Sequence, residues 1–389
     1  MKILSRNCFF KSPEPVDILI FDECNSHIAR RVISDKYSIG VFNLRPEDFF
    51  LGSSVIFKFL KGLISFDSRE IKHQRGFLFG VFRQLYYIYL KSCIEIIKPK
   101  AVLTYIDNNS RFSWLAKHCE KFPFIAIQNG MRSRYEARPD SNYYVPHYFC
   151  FGVLEQELFP QLGYEVDNYY PIGSLHASLN LLPESKVEQK YDLLVVSSWR
   201  GDIGFQQDVQ DTMRSMKIMD QLIAKYLNNH DMKVALIYRS MRNSEHWVIP
   251  ELGLSEEEYY QDIYGDLIEH IETSKATSNI FPLIQQSKMI ISCLSSAGLE
   301  GYGLKKKLLY CNFTGTNLYH QDIDDSILTT NSDYSNFSEK LTVLFQQDQE
   351  EYVEDHKETM QYYMNFGDNP RSVSTQISQK IDTIVENFK

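Results

Sequence analysis

The stretch from Met289 to Phe313 constrains the chain most. It opens with a short apolar run, Met289 to Cys293, of the kind that forms a strand buried on both faces. Ser295, Ser296 and Gly298 follow, where such a strand turns into a helix. The helix carries Leu299 and Glu300 and stops at Gly303; Lys305 to Lys307 fall near its C-terminal end, where cations suit the dipole. A second apolar run, Leu308 to Cys311, supplies the next strand. The unit is therefore βαβ, the building block of a parallel sheet covered by helices. Its helix opens on two hydroxyls and free backbone N–H groups, the arrangement that binds phosphate. Glu300, about one turn inside, stands within reach of a ribose hydroxyl of the same ligand. The plainer reading has Ser295 and Ser296 capping the helix and Glu300 solvated.

The same alternation runs along the chain. Pro15 to Asp22 reads as a first strand, with Asp22, Glu23 and Asn25 in the loop after it, a helix around His27 to Ile33 and a second strand over Ser38 to Leu44. Gly76 to Ile97 reads as a long helix. Ala101 to Ile106 is the next strand; it releases Asp107, Asn108, Asn109, Ser110 and Arg111 ahead of a helix over Phe112 to Glu120. Phe124 to Gln128 follows and ends in Gln128, Asn129, Gly130, Met131 and Arg132. Two consecutive strands that release polar side chains at their C-terminal ends make a concave polar site. Asn129-Gly130 is equally the dipeptide of a tight turn. His147 to Gly152 reads as the last strand of this half, before a helix with Glu155 and Glu157. Leu182 to Lys190 is polar and reads as a linker.

Tyr191 to Val196 opens the second half as a buried strand and ends in Ser197, Ser198, Trp199, Arg200, Gly201 and Asp202. Arg200 suits a phosphate, and Asp202 suits an acceptor or a base. After a helix over Asp211 to Asn228, the strand Lys233 to Tyr238 leads to Arg239, Arg242 and His246, an anion clamp or a solvated surface. Phe337 to Phe345, Glu350 to Phe366 and Val373 to Phe388 read as helices, the last with Ile377, Ile381 and Ile384 spaced to pack. The expected division is a Rossmann-like domain over residues 1–180, a second over 190–330, and C-terminal helices over 331–389, the last packing back on the N-terminal domain.

At 389 residues the chain has ample length for two cores, and 43% hydrophobic with 23% charged residues is globular composition. A formal net charge of -9 argues against nucleic acid as the main partner. The 7 cysteines form no C-x-x-C pair and are expected as free thiols in a reducing compartment, the cytoplasm. No zinc site, signal peptide or uncharged apolar run long enough to span a membrane is visible.

Residues 55–100 differ from this acidic background. Lys58, Lys61, Arg69, Lys72, Arg75, Arg83 and Lys91 outnumber Asp67, Glu70 and Glu95 among many aromatics. The stretch suits either a core helix with a solvated basic face or peripheral contact with an anionic membrane surface, the inner face of the cytoplasmic membrane, and a lipid-linked acceptor.

Ser295 to Tyr310 resembles the donor-site segment of two-domain bacterial glycosyltransferases of the GT-B architecture. It is most similar to those building surface polysaccharides (lipopolysaccharide and capsule), including the Kdo- and sialic-acid-type transferases that use CMP-activated sugars. Residues 101–132 resemble the N-terminal domain of the same families, with Gln-Asn-Gly at 128–130 where a histidine sometimes stands. Tyr169 to Ser174 resembles the segment where the chain crosses between domains. The resemblance covers roughly residues 100–315. It implies an α/β fold of two Rossmann-like domains facing a central cleft. In it, the serine pair holds the donor phosphate and the acidic residue sits near the ribose.

The function expected from these residues is transfer of a sugar from a nucleotide-activated donor, favoured as CMP-Kdo or a related acidic sugar, to a surface glycan or lipid-linked acceptor. The nucleotide-sugar is a substrate, and no cofactor or metal is expected; the Asp-x-Asp at 322–324 lies past the last clear strand. Ser197, Arg200, Arg239, Ser295, Ser296, Gly298 and Glu300 are the donor-side candidates. Asn108, Arg111, Gln128, Asn129, Gly130 and Arg132 line the acceptor side. Asp107 is the first candidate for the base, with Glu155 and Asp202 as further carboxylates. Two alternatives remain open. One is an epimerase of sugar nucleotides or a CDP-polyol phosphotransferase on the same fold. The other is a non-catalytic partner in a polysaccharide assembly complex.

Overall fold

The computed structural model of the chain describes residues 7–44, 48–65, 76–134, 143–199, 207–238, 254–272, 280–319 and 323–388. Two parallel sheets of six strands organise it. The first contains β2 (Ile18–Phe21), β3 (Ile39–Phe42), β5 (Ala101–Thr104), β6 (Phe124–Ile127), β7 (Tyr144–Cys150) and β8 (Glu165–Pro171), in the order β3-β2-β5-β6-β7-β8. β1 (Asn7–Phe9) and β4 (Asp48–Phe50) pair apart from it as a two-stranded parallel ribbon. The second contains β9 (Tyr191–Val196), β10 (Val234–Tyr238), β11 (Glu269–Glu272), β12 (Ser287–Cys293), β13 (Lys307–Cys311) and β14 (Leu328–Thr329), in the order β11-β10-β9-β12-β13-β14. Counted within its own sheet, that is the 3-2-1-4-5-6 order of a doubly wound nucleotide-binding fold. Its switch point lies between the parallel neighbours β9 and β12, where the chain order reverses: β10 and β11 lie on one side and β13 and β14 on the other.

The central strands form because their residues are apolar on both faces. Every residue of β2, β5, β6, β10 and β13 is buried, as helices covering both faces of a parallel sheet require. Each fully buried Leu, Ile or Val contributes about 1.5–3 kcal/mol relative to exposure.

Several expectations are corrected. β7 is not the last strand of the first sheet: β8 pairs parallel with it from Tyr144 opposite Glu165 to Cys150 opposite Pro171. β8 is an edge strand with half-exposed and exposed residues, so it lacks the apolar run that marks its neighbours. Its end, Tyr169 to Pro171, is thus strand, and the chain crosses after Ser174, through the helix Leu175–Asn180. The lysines past the helix Ser296–Gly303 serve other elements. Lys306 Nζ donates to the carbonyls of Gln285 and Ser287, both at 2.8 Å, and Lys307 begins β13 with its Nζ on the carbonyls of Phe345 and Gln347. The single helix expected over Glu350 to Phe366 is two, Gln349–Asp355 and Lys357–Tyr363. His356 separates them, its ring nitrogen 3.0 Å from the Tyr302 hydroxyl.

The residues after the second sheet return to the first domain. Asn365 N–H donates to the Phe151 carbonyl at 2.7 Å, and its side chain donates to the Pro171 carbonyl at 3.0 Å. Arg371 donates to the carbonyls of Leu181 and Leu182. The helix Val373–Asn387 buries Val373, Ile377, Ile381 and Ile384 and pairs Asp382 and Glu386 with Lys36.

Candidate functional site

Strand C-termini of both sheets supply the candidate residues. In the second domain β12 ends in Leu294, whose φ of 53 puts a leucine in the left-handed region. That sharp turn sets Ser295 as N-cap of the helix Ser296–Gly303, its hydroxyl accepting from Ala297 N–H. Ser295 and Ser296 are half-buried, whereas Gly298 and Glu300 are buried. Gly298 lets the helix approach β12: a Cβ there would meet the Ser292 side chain and lie 3.3 Å from Leu308. The neighbouring loop after β9 is tied to the same turn, since the Ser198 hydroxyl donates to the Cys293 carbonyl. Ser197 donates to Glu256 at 2.6 Å and accepts from the Tyr260 hydroxyl at 2.8 Å. Ser197, Ser295, Ser296 and Gly298 thus gather at the switch point. Arg200, Asp202, Arg239, Arg242 and His246 lie outside the described residues.

In the first domain the loops after β5 and β6 are locked by Asp107. Arg132 grips both oxygens of this buried carboxylate, one through Nε at 3.0 Å and the other through Nη2. Asn129 N–H donates to it at 3.2 Å and the Tyr148 hydroxyl at 2.8 Å. Arg132 also reaches the Asn129 side-chain oxygen at 2.9 Å. With its oxygens engaged this fully, Asp107 fixes the two loops against each other rather than standing open to an acceptor hydroxyl. Asn108 is exposed beside it, and Asn129 and Gly130 are half-buried. Arg111 opens the next helix and lies over the Tyr86 ring, 5.3 Å from its centroid.

Glu155 sits beneath these loops. It accepts from Gln128 Nε2 at 2.8 Å and from Gly152 N–H at 3.1 Å, while the Gln128 carbonyl oxygen accepts from Phe151 N–H at 2.7 Å. Burial pushes its carboxyl up to about 7. Glu300 is the corresponding carboxyl of the second domain. It accepts a short hydrogen bond from Ser174 of the first domain, and burial raises it to about 7 as well. It is therefore turned to the domain boundary and not solvated. Burial pushes the Tyr105 hydroxyl up, and the carboxylates of Glu300 and Asp107 add to the shift.

Sequence reasoning missed four participants. Tyr105 is the last aromatic of an apolar run and reads as core. Ser174 looks like a turn residue. Tyr148 is hidden inside a strand. Glu256 had a signal: Ser255 and Glu258 form a capping box, which marks the helix Glu256–Tyr264.

No family model matches the sequence, and no curated protein matches it. Solved structures do match the fold. A glycosyltransferase from Rickettsia africae is 13% identical with a TM-score of 0.50, covering 96% of this chain and 100% of that one. The wall teichoic acid polymerase TagF is 13% identical with a TM-score of 0.52, covering 95% and 89%. The UDP-GlcNAc 2-epimerase of Methanocaldococcus jannaschii is 14% identical with a TM-score of 0.50, covering 94% and 99%. At this identity the likeness is one of fold. The chain has the GT-B architecture: two Rossmann-like domains followed by C-terminal helices.

Proposed function

We propose that the protein is a glycosyltransferase that moves a sugar from a nucleotide-activated donor to a glycan or lipid-linked acceptor without a metal ion. The observation that carries this reading is the helix Ser296–Gly303, which opens on two half-buried serines at the switch point of a 3-2-1-4-5-6 sheet. That is where a doubly wound sheet receives a nucleotide, and a helix N-terminus stabilises the charge on a departing phosphate. Ser197, Ser295, Ser296 and Gly298 hold the donor phosphates in this reading, with Arg200 and Arg239 as further anion contacts.

The acceptor approaches the loops Asp107–Arg111 and Gln128–Arg132. The proton acceptor is drawn from Asp107, Glu155 and Asp202. Asp107 is committed to Arg132, whereas a carboxyl near pH 7 is matched to proton uptake at neutral pH. Glu155 is buried as well, with Gln128 and Gly152 on its two oxygens, so it too holds the loops together as the structure stands. For the donor, the resemblance of Ser295 to Tyr310 to the Kdo- and sialic-acid-type transferases favours a CMP-activated acidic sugar.

A thermal-shift panel of CMP, CDP, UDP, GDP and ADP tests this on the native chain and on Ser295→Ala/Ser296→Ala. A nucleotide at 100 times its dissociation constant stabilises by about 2.7 kcal/mol. Selective stabilisation by one nucleotide, lost in the double variant, is expected. No shift from any nucleotide moves a non-catalytic role to the front. Isomerised sugar nucleotide, or polyol phosphate transfer, in place of a new glycoside points to the epimerase or phosphotransferase alternative.

A further inference from the structure

The helices Ser53–Gly62 and Phe77–Ile97 pack side by side, with Lys58 Nζ 2.7 Å from Glu95 and the Gly62 backbone against Ile88. They therefore run antiparallel, and residues 62–65 point toward the N-terminal turns of the longer helix. Around that end Phe57, Leu60, Ile64, Phe77, Leu78 and Phe82 are between 57 and 87% exposed. Large side chains at i, i+3 and i+7 of one helix normally face a core. Here Phe57 and Leu60 face out, as does Ile64 in the 3-10 turn Leu63–Ser65 that continues the helix, while Val55 is the buried residue of the helix. The charges around them are one-sided. Lys61 and Arg83 flank the patch with no acidic residue in the described turns beside them, while Lys58 pairs with Glu95 farther along, in a chain of net charge -9.

The patch also has a fixed place relative to the site. The 21-residue helix is about 30 Å long, whereas β5, which follows it after a short turn, has four residues and spans about 13 Å. The helix ends where β5 begins, so its first turns overhang the C-terminal edge of the sheet. That is the edge bearing Asp107 and Asn108. Two contacts set the level: the Tyr87 ring lies 5.3 Å from Trp114, and the Tyr87 hydroxyl 3.4 Å from the Ser110 hydroxyl.

We infer that this overhanging face docks on an anionic lipid surface and presents the acceptor loops to a lipid-linked acceptor. The inference deepens the glycosyltransferase reading above and, for its second half, rests on it. Exposed Phe, Leu and Ile enter the boundary between headgroups and acyl chains, and Lys and Arg at the margin are held by anionic headgroups. A second copy packing through the same patch would set Lys61 and Arg83 against their own counterparts, and like charges oppose that contact. An acceptor carried on a lipid keeps its tail in the bilayer while its head reaches loops only a few turns away.

Co-sedimentation with vesicles tests this, comparing phosphatidylcholine alone with mixtures containing phosphatidylglycerol. The native chain is expected to pellet with the anionic vesicles and to bind the neutral ones at least about tenfold less. Phe57→Ser/Ile64→Ser/Phe82→Ser is expected to lose binding by about tenfold or more, and Lys61→Glu to lose most of the preference for anionic lipid. An unchanged melting point and an unchanged nucleotide shift in these surface variants show that they are folded. Transfer to a lipid-linked acceptor in vesicles should fall in the triple variant, while transfer to a free glycan stays constant. Absence of vesicle binding, binding indifferent to the variants, or a native dimer that the triple variant converts to monomer would each overturn the docking. Vesicle binding without any nucleotide shift would sink the transferase reading and leave the docking intact.

Discussion

Ser174 and Glu300 belong to different domains, and the hydroxyl of one donates to the carboxyl of the other out of reach of solvent. The bond is the most direct polar link between the acceptor-side half and the helix proposed to bind the donor. Its strength depends on a carboxyl that burial has raised to about 7. The folded chain therefore binds this proton more readily than the unfolded chain, whose glutamates titrate near 4.3. Between those values the folded state holds more protons, so its stability falls as pH rises through the window. Glu155 and Asp220, both raised to about 7 by burial, act in the same direction.

The first prediction follows from that sign. The melting temperature should drop between pH 5 and pH 8. In Glu300→Gln, which still accepts from Ser174 through its amide oxygen and cannot ionise, the drop should be smaller. Melting curves across this range check it. A variant profile as steep as the native one would remove Glu300 from the account.

The pair Asp107 and Arg132 gives the second. Removing one partner of a buried ion pair leaves an uncompensated charge and typically costs about 3–5 kcal/mol. Asp107→Asn and Arg132→Gln should each destabilise by roughly this amount in urea denaturation. The double variant should cost less than the sum by about 1–3 kcal/mol, since the two side chains are in direct contact. Additive losses would mean that the pair does not act as a unit.

Gly298 gives the third. A Cβ at this position runs into the Ser292 side chain, a buried hydroxyl with no hydrogen-bond partner among the described residues. Gly298→Ala should cost about 1–3 kcal/mol through overpacking and should weaken nucleotide binding by displacing the helix start. Ser292→Ala alone should be neutral or slightly stabilising, because it deletes an unsatisfied hydroxyl. Combined with Gly298→Ala it should recover part of the loss. Calorimetric melting of the three variants decides the matter, and an additive double variant would rule out the proposed contact.

Much of this was legible from residue order because a parallel sheet writes its buried strands as apolar runs. β2, β5, β6, β9, β12 and β13 all announce themselves that way, and with them the loops that follow. The apolar edge strand β3 is legible too, but polar edge strands are not. β8 and β11 carry polar residues such as Glu165, Asp167, Glu269 and His270, and nothing local distinguishes them from loop. The site divides along the same line. Ser295, Ser296 and Gly298 declare their place because a strand-to-helix turn needs small and hydroxyl residues. Glu300 resisted reading because its partner, Ser174, is 126 positions away. Asp107 was visible as a loop carboxylate, but its saturation by Arg132, Asn129 and Tyr148 depends on how β5, β6 and β7 lie beside one another. Such pairings are properties of the sheet order and are written in no short stretch of sequence.

The return of residues 364–387 to the first domain has a consequence for synthesis. The edge of that domain at Phe151, Pro171 and Leu181 is completed by groups on Asn365 and Arg371, and Lys36 pairs with Asp382 and Glu386. On the ribosome this domain emerges first, yet its surface waits for nearly two hundred further residues before it is sealed. We expect nascent chains halted just before Asn365 to stay open to protease within residues 143–182, and to close once Asn387 has emerged. Equal resistance at both lengths would show that the first domain needs no help from the far end. The fold is thus laid down as a loop that must be closed, and the half that is made first is finished last.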